Sequence, residues 1–238
     1  MSSVDLNNYY SAGYFVIRAN HPPGWDLPKD MFPDQLISLS RCICPRLDLI
    51  WRWYKDGGEA MAEFGIPAEQ FADFAAWCEH EYESEADYLT GMFYSIEAAR
   101  RFISRFLPDT NGLHIIGVGF PNELVEIGWR GPHYENQCDT IEKRVTQRLP
   151  IEVGGDVLGH EIVSCDYCDF GHSWICNHIH EEPFGFRPNS RGFISNYDDA
   201  KKVYDWLAED DMKGTRGEPE PYYIWLLISY PLHVKAAD

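Results

Sequence analysis

Six side chains that bind soft or borderline metals fall within sixteen residues: Cys165, Cys168, His172, Cys176, His178 and His180. Thiolate sulfur and imidazole nitrogen are zinc's usual ligands, so zinc is the first chemistry this cluster suggests. The spacing argues against it. A strand through residues 162–167 puts Cys165 and Cys168 on opposite faces. Structural zinc sites usually separate their two ligand pairs by about twelve residues or more, and only three residues lie between Cys168 and His172. The expectation is a strand, a turn around Asp169-Phe-Gly171 and a returning strand, with thiols in the core and no metal or other cofactor.

Cys176, His178 and His180 repeat with period two, so on a strand all three project from one face. Catalytic metal sites use such His-x-His pairs. The usual pattern adds a Glu after three or four intervening residues, and Phe184 and Gly185 stand there instead. Nucleophilic catalysis needs an activated Cys or Ser beside a base, and His172, Ser173 and Cys176 qualify by type alone. No Gly-x-Ser-x-Gly, Gly-x-Gly-x-x-Gly or Walker pattern occurs. Trp51, Trp53, Tyr54 and Trp206 are the aromatics most able to line a groove; in a chain with eight Trp, core packing explains them more simply.

Charge narrows the function classes. The chain carries 38 acids against 20 bases, a net charge of −18. That opposes nucleic acid, whose phosphates need Lys and Arg, and an anionic membrane surface equally. It favours a basic protein partner. No Lys or Arg lies between Lys55 and Arg100, and Glu79, Glu81, Glu83, Glu85 and Asp87 crowd that stretch. These five are the candidate partner-binding residues. The seven cysteines are odd in number and follow no signal-like start, which points to reduced thiols and a cytoplasmic setting.

The elements that must position these residues read as α+β: a mostly antiparallel central sheet with three principal helices in one domain, 1–238. Strands are expected over 14–19, 36–44, 88–94, 113–120, 156–166 and 222–232. Residues 141–149 alternate weakly, and 123–129 fit a short helix or strand equally. Pro67 opens a helix over 67–82, with Phe71, Phe74, Cys78 and Tyr82 on its apolar side. Ser95 and Asn196 are N-caps of the other two helices. The two capped helices, each followed by an apolar strand, suggest two helix–strand halves, 1–130 and 131–238.

Three segments carry a resemblance: His172-Ser-Trp-x-Cys176-Asn177, Asn189-x-x-Gly192-Phe-Ile194 leading into the 197–207 helix, and Glu218-Pro-Glu-Pro-Tyr-Tyr followed by Trp225–Tyr230. Over these C-terminal residues, about 60 of them, the chain resembles bacterial toxin-immunity-type proteins. The resemblance implies a cytoplasmic antidote that binds and blocks a toxin, and it carries over no catalytic residues. The competing reading is an enzyme of unassigned reaction centred on the Cys/His cluster at 165–180, with or without a metal.

Overall fold

A computed structural model of the chain describes residues 4–21, 27–45, 57–87, 90–127, 140–166, 169–181, 184–210 and 213–233. Five strands form one sheet: β1 (Tyr9–Arg18), β2 (Leu113–Pro121), β3 (Asp156–Asp166), β4 (Asp169–Ser173) and β5 (Tyr222–Tyr230). Their order is β1-β2-β5-β3-β4, and every neighbouring pair is antiparallel. Helices cover both faces. The central strand β5 therefore buries both of its sides, which is why it reads as the unbroken apolar run Tyr-Tyr-Ile-Trp-Leu-Leu-Ile.

On one face lie α1 (Gly57–Phe64), α2 (Phe71–His80), α3 (Tyr82–Glu85) and α4 (Ile96–Phe106). Their shared core is aromatic: Phe74 meets Phe106 at 5.4 Å and Trp77 meets Phe102 at 5.3 Å between ring centres. On the other face lie α5 (Asn122–Ile127), α6 (Thr140–Thr146) and α7 (Tyr197–Ala208), together with residues 31–44. Trp225 anchors this second core, edge-on to Phe170 at 4.8 Å and tilted against Phe120 at 5.0 Å.

The expected caps are in place. Ser95 Oγ accepts from the Ala98 N–H at 3.1 Å, and Asn196 Oδ1 from the Asp199 N–H at 2.9 Å. The two helix–strand units, α4–β2 and α7–β5, place their strands side by side, but their helices pack on opposite faces of the sheet. A two-fold rotation that exchanges adjacent antiparallel strands keeps each helix on the same face, so these two helix–strand units are not related by such a rotation.

Several expectations fail for physical reasons. Residues 36–44 do not form a strand: Leu36 makes one bridge to Asn20, and a turn follows. Here Ser38 Oγ accepts from the Ser40 N–H and Ser40 Oγ from the Cys42 N–H, so hydroxyls take over the role of a neighbouring strand. Residues 141–149 are not a strand either; Ile141 and Val145, four apart, are buried on one side of α6. The 67–82 helix breaks at Glu81 into α2 and α3. Helix α1 has no clear sequence signal, because its two leading glycines lower helix propensity. Of the 88–94 segment, Phe93 makes only single bridges, to Tyr14 and Ala86, and residues 88 and 89 lie outside the described set. No helix among the described residues is long and apolar enough to cross a membrane.

Candidate functional site

Glu161 sits on β3 with no exposed surface. A buried carboxylate is tolerated only when its oxygens are hydrogen-bonded, and these are. Ser38 Oγ–H donates to Oε1 at 2.5 Å, Ser173 Oγ–H to the same oxygen at 2.8 Å, and the Leu39 N–H to Oε2 at 2.9 Å. One side chain thus pins two turns that are far apart in sequence. The first, at 38–42, ends in Cys42. The second begins at Ser173 and ends in Cys176, whose Sγ accepts from the Ser173 N–H at 3.0 Å. Between them stands His172 at the end of β4, its N–H given to Ser164 Oγ at 2.7 Å.

The three side chains converge. His172 Nδ1 is 3.7 Å from Cys42 Sγ and 3.8 Å from Cys176 Sγ, and all three atoms lie within 4.8 Å of one another. Cys42 is exposed; His172 and Cys176 are half-buried. A hydrogen bond from the Cys176 thiol pulls Cys42 down to about 5, against the opposing effect of burial and with help from Ser40 and His172. Holding that shared proton, together with burial, pushes Cys176 upward.

Of the six residues at 165–180 that offer an alternative metal cluster, the structure brings His172 and Cys176 together. Cys165 is buried in the core at 1% exposure, as expected of a packing thiol. Cys168 lies outside the described residues. Residues 176–180 form turns and a short 3₁₀ helix instead of a strand; the His178 and His180 rings lie 5.8 Å apart, and the metal-ligand group that Cys176 joins contains neither of them. His178 adopts φ 56°, and His180 packs edge-on to Phe32 at 5.0 Å. The residue missed is Cys42, 130 positions before its histidine. Spacing within one window cannot find such a partner; the signal available was the local-turn chemistry of Ser38-Leu-Ser-Arg-Cys.

The acidic segment is only partly free. Glu79 and Glu83 are exposed. Glu81 pairs with Arg105 at 3.0 Å and Glu85 with Arg101 at 2.8 Å, both arginines coming from α4. Arg105 also forks onto Asp73 at 2.8 Å and holds that carboxyl below the usual carboxylate range. Asp87 corrects the candidate list: it is 5% exposed, and its Oδ1 accepts from the Thr90 N–H at 2.8 Å and hydroxyl at 2.7 Å. It forms a turn and is not presented to a partner. Two further exposed acids on the same layer, Glu63 and Glu69, make no ion pair among the described residues.

Of the aromatics, Trp206 is half-buried, edge-on to Phe184 at 5.6 Å and beneath the Arg216 guanidinium at 5.0 Å. Trp51, Trp53 and Tyr54 lie outside the described residues. A cleft of about 350 Å³ is lined by Asn8, Tyr9, Pro121, Asn122, Glu123 and Tyr197. Behind it Tyr9 O–H meets His160 Nε2 at 2.7 Å, and burial lowers that histidine to about 4, so it is neutral at pH 7.

Compared with known proteins, the chain matches no family model, no curated protein and no solved structure.

Proposed function

We propose that this chain is a protein-binding module that receives a basic partner on its helical face, in the manner of an immunity-type inhibitor covering the basic surface of a toxin. One observation carries the reading. Glu63, Glu69, Glu79 and Glu83 are exposed on or beside α1–α3 without a lysine or arginine partner among the described residues, in a chain of net charge −18. Glu81 and Glu85 stand beside them, held in place by Arg105 and Arg101. Uncompensated surface charge of one sign steers an oppositely charged protein into contact, and it does so most strongly at low salt. The five free cysteines among the described residues fit a reducing compartment, which supports placing the protein in the cytoplasm.

The test starts from native lysate passed over the immobilised chain at low salt. A basic protein retained by wild type should be lost or weakened when Glu63, Glu69, Glu79 and Glu83 are replaced together by Gln. With the recovered partner in hand, the variant's association rate should fall about tenfold at low salt and depend less on ionic strength. Equal capture and equal rates for wild type and variant would remove this face as the interface.

A further inference from the structure

We propose that Cys42, His172 and Cys176 form a binding centre for a divalent zinc ion, with three protein ligands and a fourth position open to solvent. The inference is independent of the acidic face and rests on distances. Zinc bonds thiolate sulfur at about 2.3 Å and imidazole nitrogen at about 2.0–2.1 Å, so a tetrahedral ion sets its sulfur and nitrogen ligands about 3.6 Å apart. The two sulfur-to-Nδ1 distances here are 3.7 and 3.8 Å. The two sulfurs lie within 4.8 Å of each other, so three soft or borderline donors stand close to the corners of one face of that tetrahedron.

The surroundings fit a prepared site. Ligand-bearing turns are usually held by hydrogen bonds from groups that do not touch the metal. Glu161 does this for both turns, through Ser38 on the Cys42 side and Ser173 on the Cys176 side. The Ser173 N–H points at Cys176 Sγ, and Ser164 fixes the His172 backbone. Such donors offset the negative charge a metal-bound thiolate keeps. Cys42 is exposed, so the remaining side of the ion faces water, the arrangement of zinc sites that activate a water or accept a ligand. Binding a divalent ion at two thiols and one neutral imidazole releases the protons the sulfurs still hold and involves no redox change. The three ligands come from turns about 130 residues apart, so spacing within one stretch of chain does not bear on them.

The experiment uses the full chain under a phosphine reductant, stripped with chelator and titrated with zinc alone, then with cobalt as a spectroscopic stand-in. About one equivalent of zinc should be retained through desalting. Cobalt should give a thiolate-to-metal charge-transfer band and the strong visible absorption of a tetrahedral site. Cys42→Ala, at an exposed position, should fold as wild type does by circular dichroism and lose both signals; His172→Gln should weaken zinc binding at least tenfold. Zinc should also shield Cys42 and Cys176, and not Cys78, from an alkylating reagent mapped by mass spectrometry. Retention of well under one equivalent by wild type, or unchanged binding and spectra in Cys42→Ala, would overturn the proposal.

Discussion

Glu161 and Glu83 carry the same functional group in opposite surroundings. Glu161 has lost all contact with water, and three donors from two distant turns replace it. Glu83 stands in solvent on a helical layer where Arg101 and Arg105 of α4 pair with Glu85, Asp73 and Glu81 but not with it. In the interior a carboxylate organises structure, because each donor aimed at it would be orphaned by its removal. On the helical face carboxylates shape a field that reaches outward and contribute almost nothing to the fold. Charge count is therefore a guide to partners, while burial decides which acids the architecture depends on.

The sharpest way to break this contrast is Glu161→Gln. The amide turns one acceptor into a donor facing other donors, so unfolding free energy should drop by about 3 kcal/mol in urea with an unchanged m-value. A drop below about 1 kcal/mol would mean that the two turns do not depend on this side chain. Asp87→Ala should fall between the two regions: it strands the buried Thr90 N–H and should cost about 1–2 kcal/mol. A neutral result there would return Asp87 to the acidic surface. The smallest effect belongs to the fourfold Gln variant at Glu63, Glu69, Glu79 and Glu83, which should stay within about 0.5 kcal/mol of wild type while changing the net charge by four. A large loss of stability would show that these acids have structural work in addition to any partner.

The contrast also explains what was legible in the sequence. Strands β2, β3 and β5 and the capped helices α4 and α7 were readable because period, cap and burial agree within each segment. Arg101 and Arg105 were visible as residues, but their placement beneath Glu81 and Glu85 comes from how α4 packs beside α2 and α3. Cys42 was hidden for a related reason. The turn that carries it is built by Ser38 and Ser40, whose hydroxyls bond locally and imitate the alternation of a strand. Local pattern announces elements; it does not announce which two loops a buried carboxylate will tie together.

The position of β5 in the sheet has a consequence for how the chain is made. It is the central strand, flanked by β2 and β3, yet it is the last of the five to be synthesised. The β1–β2 pair and the β3–β4 hairpin can each form earlier, but neither can join the other until Tyr222–Tyr230 has been added. At about 5–20 residues per second, the roughly one hundred residues separating β2 from the end of β5 take about 5–20 s to make. During that interval β2, and β3 once it has been made, each present a bare row of amides and carbonyls beside apolar faces, the features by which nascent chains stick to one another. Vectorial synthesis thus leaves two half-sheets waiting for the strand that joins them, so this chain's yield should respond to holding chaperones and to translation speed over its last third.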